Sequence, residues 1–465
     1  MSVEPSGPAG NTENAAPDRA APEVTPQAAS QDPVTQRREA RERGDRNAIV
    51  VASRALWQRL MRSSDSGDDG ATSVLIADLR AERTVGGAEG DVSYQALCDS
   101  TLGLVHTRRG NFEAGEDAYR SAVRGYRSLE NDAEIAGVRY HLGCLYAQSG
   151  RTADARRQFQ AALSTFREKK MGAWFAQANL RLAETLAPGD AQHIRHLKDA
   201  LGVFVGAKRD REAADCATKL ADSYAHAGNK KVAEQLYHEA SNLYEKVAAP
   251  AAHADVLVRT AFFLSHHQRD REAEFYFSLA LDAGLSAGAI PLVALCDAGT
   301  ALAWDRISLM SYSRDSILTH SVALMLPSLL YFDAVSPALD TPGENPEASW
   351  HGILSDLLSW CAAALPRNEH TEPLHNEIAK FAADRGYMTS PAEPPRRRLR
   401  RYRIATPDVM PRLAELHRLL RTSTVPAAQN WPAESASEDL RQYARVARCR
   451  YSPAVSDGNR GGDSL

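Results

Sequence analysis

A series of small and aromatic residues returns along this chain at a fixed interval, and that return limits the fold more than any other feature. Leu102, Gly103, Gly110, Gly115, Tyr119 and Ala122 are matched forty residues later by Leu142, Gly143, Gly150, Ala155, Phe159 and Ala162. The series comes back as Leu220, Ala221, Gly228, Ala233, Tyr237 and Ala240, and again as Ala261, Ala273, Phe277 and Ala280. A period of this kind marks a repeat array, in which each unit buries its apolar face only against its neighbours. Within each copy the apolar positions follow helical spacing, so a copy reads as two antiparallel helices.

The residue types fit that reading. Gly103 and Gly143 let the first helix of a pair approach the second, and Gly115, Ala155, Ala233 and Ala273 do the same from the second helix. Tyr119, Phe159, Tyr237 and Phe277 then fill the gap between helices, while Ala122, Ala162, Ala240 and Ala280 admit the next one. Gly-Asn at 110–111 and 228–229 supplies turns, because glycine tolerates positive φ. Thr152 and Asp270 are expected as N-caps of second helices. Between the second and third clear copies lie 78 residues, two short of two periods. A degenerate unit is therefore expected over 174–213, with its turn at Ala187-Pro188-Gly189-Asp190 shortened by about two residues.

The small–small–aromatic–small order resembles the tetratricopeptide repeat (TPR), whose spacings within a helix pair it matches. Two departures stand out: Asp99 and Arg139 occupy the family's tryptophan position, and the period is forty residues rather than about 34. The longer unit is similar to those of kinesin light chains and of bacterial signal-responsive regulators. HEAT repeats share the period, but Gly103, Gly110 and Tyr119 at their spacing favour the tetratricopeptide type. The resemblance implies an all-α fold, a right-handed solenoid of about six hairpins over 93–335. Its clear copies cover 96–172 and 214–293, and its degenerate ones 174–213 and 294–333.

The flanks are read from composition. Residues 1–35 hold six prolines and no Leu, Ile, Phe, Tyr or Trp, too little apolar surface to offset the entropy of ordering. Residues 36–92 form a helical lead-in, with Ile49, Ala52, Leu56 and Leu60 on one helix face and Val74, Leu75 and Leu79 on a second helix. Non-repeating helices are expected over 345–390, at about 346–365 and 370–386. Residues 391–465 hold the arginine run Arg396–Arg403, an amphipathic helix near 407–421 and a polar tail.

Chemistry-bearing patterns are scarce. There is no GxSxG elbow, P-loop, HExxH helix or dinucleotide-binding glycine signature, so no enzyme, cofactor or metal is expected. His193 and His196 could share a helix face, but two ligands without a third make a poor metal site. The net charge of -4 gives no global attraction to nucleic acid or an anionic membrane. The apolar stretch Ile317–Phe332 contains His320 and Pro327 and is short for a membrane span. Six cysteines without a CxxC pair, and a start lacking a signal-like apolar core, point to a cytoplasmic setting.

Function is then expected on the groove lined by first helices, which in this family accepts an extended peptide or a partner helix. Aligning the units places Arg108, Tyr140, His141, Cys144, Lys219, Asp222, Arg259, Phe262 and His266 there. Lys219 and Arg259 are equivalent positions in adjacent units, where two cations could grip a carboxylate; a solvated mixed-charge face is the alternative. The lysine–asparagine clamp of chaperone-binding members is not implied, because Thr218 and Asp222 stand at the corresponding places. The expectation is a scaffold or adaptor for a protein or peptide partner. The alternative is a ligand- or peptide-sensing regulator of a transcription factor or nucleic-acid partner, reached through Arg396–Arg403, although a single basic block is a weak footprint for nucleic acid.

Overall fold

The structure, a computed structural model, describes residues 69–308 except 89, then 314–335, 349–365, 369, 371–387 and 409–422, with scattered positions between 36 and 52. The expected tail 1–35, most of the lead-in helix, the arginine run 396–403 and everything after 422 lie outside the described residues. The chain divides into two compact units, Met1–Arg151 and Thr152–Leu465. Among the described residues every regular element is a helix.

In the first unit, α1 (Asp69–Ala88), α2 (Val92–Arg108), α3 (Phe112–Ser128) and α4 (Asp132–Gln148) pack each on the next. The second lead-in helix, α1, runs for 20 residues and carries Leu79. Ile76 and Leu79 of α1 join Leu102 and Val105 in one apolar cluster. At the closest approach, a Cβ on Gly103 would lie 2.6 Å from the Tyr119 ring, so only glycine fits beneath that ring without displacing it.

The second unit continues with α5 (Thr152–Glu168), α6 (Gly172–Glu184), α7 (Ala191–Gly206), α8 (Asp210–His226), α9 (Lys230–Lys246), α10 (Pro250–His266) and α11 (Asp270–Ser286). It ends with α12 (Ile290–Ser308), α13 (Arg314–Val335), α14 (Trp350–Ala364), α15 (Glu372–Asp384) and α16 (Met410–Thr422). Phe159, Tyr237 and Phe277, with Ala162, Ala240 and Ala280, are all buried in the places their spacing implies. Pro327 lies inside α13. Ile317–Val335 within α13 has the length and composition of a membrane span, longer than the sequence stretch suggested; 67% of its apolar window is buried in this unit.

Most connections between successive helices are three residues with the middle one at positive φ. That residue is glycine at 110, 150, 228 and 288, but Glu130, Lys170, Lys208, Ala248 and Gln268 adopt the same conformation. Such a residue lets the last carbonyls of one helix be satisfied while the chain reverses. Two local expectations are corrected. Asp270 is the first helical residue, preceded by Arg269 as cap, and its carboxylate accepts from Ser265 Oγ and Arg306 instead; Thr152 likewise already lies within α5. The contracted unit does not have a shortened turn. Its first helix, α6, is only 13 residues long and the connection after it runs through 185–190, longer than the others.

Candidate functional site

In the first unit two of the expected groove residues, Tyr140 and His141, are packed against aromatic rings rather than displayed. Tyr140 is buried, and His141 stacks on Tyr119 with 6.3 Å between centroids and edge-on against Tyr140 at 5.3 Å. Burial pushes the His141 imidazole down to about 4, so the ring is neutral at physiological pH. Arg108 is exposed at the end of α2.

The second unit places Lys219, Asp222 and Arg259 in ion pairs that join successive first helices. Lys219 on α8 pairs with Glu184 on α6, and Arg259 on α10 pairs with Asp222 on α8. These are the same rung one unit apart, as the alignment of Lys219 with Arg259 requires. The two cations therefore tie each hairpin to the one before it. Burial alone would raise the Glu184 carboxyl, but Lys219 and Arg181 together outweigh it and hold it below the usual range.

The rungs differ in depth. The Lys219 and Glu184 side chains are 39% and 35% exposed, whereas Arg259 is 9% exposed. Its guanidinium also takes Asp255 of its own helix, Nε to Oδ2 at 2.8 Å. The Tyr237 hydroxyl donates to the other Asp222 oxygen at 2.6 Å. A guanidinium fork shared between two carboxylates suits a planar, always-charged donor and would not suit lysine.

One helix outside the repeats completes the site. The leucines of α16 at 413, 416 and 420 are buried, as are Val409, Met410 and His417. This face lies against α10, α12 and α14, so α16 crosses the first-helix side of the last hairpins. His417 Nε2 stands 2.8 Å from Asp255 Oδ1. A carboxylate only accepts, so the ring carries a proton on Nε2. Arg421 Nε approaches the same oxygen at 3.7 Å, and Arg412 pairs with Asp356 on α14. The Phe262 ring lies 5.7 Å from His417 and edge-on to Phe277 at 5.3 Å.

Burial lowers the His417 imidazole, Asp255 only partly offsetting it. Asp255 itself is pulled well below the ordinary carboxylate range: burial would raise it, but His417, Arg259 and Arg421 prevail. His266 is exposed and rests edge-on against His267 at 5.0 Å, away from this network. The structure thus gathers Asp222, Arg259 and Phe262, leaves Lys219 one unit away and His266 outside, and adds Tyr237, Asp255, His417 and Arg421. Asp255 and Arg259 stand four apart on one helix and Asp222 one unit earlier, a spacing that signals an ion-pair network in the sequence.

His193 and His196 do not converge. His193 Nδ1 meets the Ala183 carbonyl at 2.9 Å and His196 Nδ1 meets Asn179 Oδ1 at 2.8 Å. Among the described residues no three potential metal ligands cluster.

Two family models, each described as tetratricopeptide repeat, match residues 94–168 and 213–254. The chain carries tetratricopeptide repeats. The second match spans α8 and α9 and the start of α10, the stretch holding Lys219, Asp222 and Tyr237. No curated protein sequence matches the chain. Among solved structures, BtubC (BKLC) from P. vanneervenii aligns at 17% identity over 47% of this chain and 93% of that one, with a TM-score of 0.42. The apo form of the quorum sensor NprR from B. thuringiensis aligns at 13% identity over 76% and 97% of the two chains, also at 0.42. Apo RapI aligns at 14% identity over 62% and 99%, again at 0.42.

Proposed function

We propose that this tetratricopeptide protein is a non-catalytic adaptor that captures a segment of a partner protein on the first-helix face of its second unit. The observation that carries this reading is α16. A non-repeating amphipathic helix is seated on that face with its leucines buried and its basic side chains on acids of α10 and α14. A surface that buries one amphipathic helix has the shape and chemistry to bury another. The ion-pair rungs Glu184–Lys219 and Asp222–Arg259 have a supporting role in this reading: they hold neighbouring hairpins in register so that the face stays preformed.

A reducing, cytoplasmic setting belongs to the same proposal, supported by Cys216, Cys296 and Cys361, which are buried as thiols. The test is capture of a partner by the full-length chain, followed by calorimetry with the two purified proteins. Asp255→Lys is expected to abolish binding to the captured partner. Binding that survives Asp255→Lys, or an enzymatic turnover traced to the purified chain, contradicts the proposal.

A further inference from the structure

We infer that α16 is a built-in occupant of the binding face, and that the partner displacing it is a cationic amphipathic helix of the same pattern. This rests on the adaptor reading and deepens it by assigning the chemistry of the partner. It also reverses the sequence-based expectation that the face grips a carboxylate.

The charges decide the sign. Without α16, the buried cluster on α8 and α10 holds two carboxylates, Asp222 and Asp255, against the single guanidinium of Arg259. That leaves one negative charge in a partly desolvated site, where a carboxylate ligand is repelled and a cation attracted. The helix now there supplies that cation: Arg421 and the His417 N–H both address Asp255 Oδ1, and Arg412 addresses Asp356 on α14. Between these polar contacts Leu413, Leu416 and Leu420 are buried, and the Phe262 ring covers one side of the His417 imidazole.

The recognised pattern is therefore read directly from the occupant: a basic residue, Leu at the next position, Leu three further on, then His or another donor, with Leu and a basic residue one turn later. The partner helix must present leucines one turn apart flanked by arginine or lysine, as α16 does. Because α16 is covalently attached, it competes at a high effective concentration, and a free partner binds more weakly to the intact chain than to one whose α16 has left.

The experiment titrates a fluorescent peptide with the sequence of residues 406–424 into the full-length protein and follows anisotropy. One protein is wild type; another carries Leu413→Glu and Leu416→Glu, which undock α16 and leave the face untouched. The peptide is expected to bind the undocked protein at least about tenfold more tightly than wild type, the advantage lost by the attached competitor. Adding Asp255→Lys to the undocked protein should remove that binding. A peptide that binds both proteins equally, binds neither, or is indifferent to Asp255→Lys overturns the inference.

Should the leucine substitutions compromise folding, His417→Ala with Arg421→Glu keeps the buried leucines and carries the same expectation. The outcomes separate the two proposals. A captured partner that binds wild-type and undocked protein with equal affinity leaves the adaptor standing and removes α16 as occupant. Tight peptide binding with no captured partner leaves α16 as occupant and removes the adaptor.

Discussion

Arg259 offers the sharpest energetic test, because the two rungs joining adjacent hairpins share a design and differ in depth. Replacing it with leucine keeps side-chain bulk and removes the guanidinium that bridges Asp222 and Asp255. Breaking a buried pair from one side costs about 3–5 kcal/mol when the charge left behind has no other partner. Here Asp222 keeps the Tyr237 hydroxyl, Asp255 keeps His417, and the two carboxylates are 31% and 24% exposed. Water and these partners recover part of the loss, so the expected destabilisation is about 2–3 kcal/mol. The equivalent change at the outer rung, Lys219→Met, removes a pair whose members are 39% and 35% exposed. Exposed pairs are worth less than about 1 kcal/mol. Urea denaturation at neutral pH, followed by the fluorescence of buried Trp350 and Trp360, reads both variants in the second unit. An Arg259→Leu protein as stable as wild type, or a larger loss from Lys219→Met, would refute the assignment of Arg259 as the buried tie.

Gly103→Ala is expected to lower the melting temperature of the first unit, since the added methyl meets the Tyr119 ring; overpacking of this kind costs about 1–3 kcal/mol. An unchanged melt would mean the ring moves freely. Ala248→Gly should instead stabilise the second unit by about 0.5–1 kcal/mol, because Ala248 holds φ at 50° in a three-residue connection where glycine has no steric penalty; a lower melting temperature contradicts this. The pH response of α16 follows from His417, which faces Asp255, Arg259 and Phe262 of α10 and Arg421 of its own helix. Its imidazole is lowered when docked, so docking favours the neutral ring. Docking is fully supported above the ordinary histidine value of about 6.5 and weakens as pH falls below it. Peptide 406–424 should therefore bind the undocked protein up to about tenfold more weakly at pH 5.5 than at pH 7.5. A change of the opposite sign would place a charged histidine in the site.

What the sequence disclosed depends on how local the information is. Tyr119, Phe159, Tyr237 and Phe277 announce themselves because each packs within its own hairpin or against the next, so one spacing recurs. The contraction between the second and third clear copies is visible as a number of residues. Its mechanism is not, because shorter α6 and α7 with a longer connection between them give the same total as a trimmed turn. Lys219 and Arg259 were recognisable as equivalent positions, but a cation on a helix face gives no hint of whether it faces water or a neighbour. Glu184 and Asp222, each on the preceding first helix, decide that. The largest omission is α16. Its leucine spacing foretells a buried face, yet amphipathicity fixes which side is covered and not what covers it. The contact of His417 with Asp255 joins residues 162 positions apart, outside any local pattern.

The seat of α16 on the first-helix face is the claim on which the account turns, and amide hydrogen exchange of the full-length protein tests it most directly. Residues 413–420 should exchange slowly in wild type, protected together with α10, and should lose that protection in Asp255→Lys while α8 and α9 keep theirs. Rapid exchange of residues 413–420 in the wild-type protein would show the face to be open and would contradict the account.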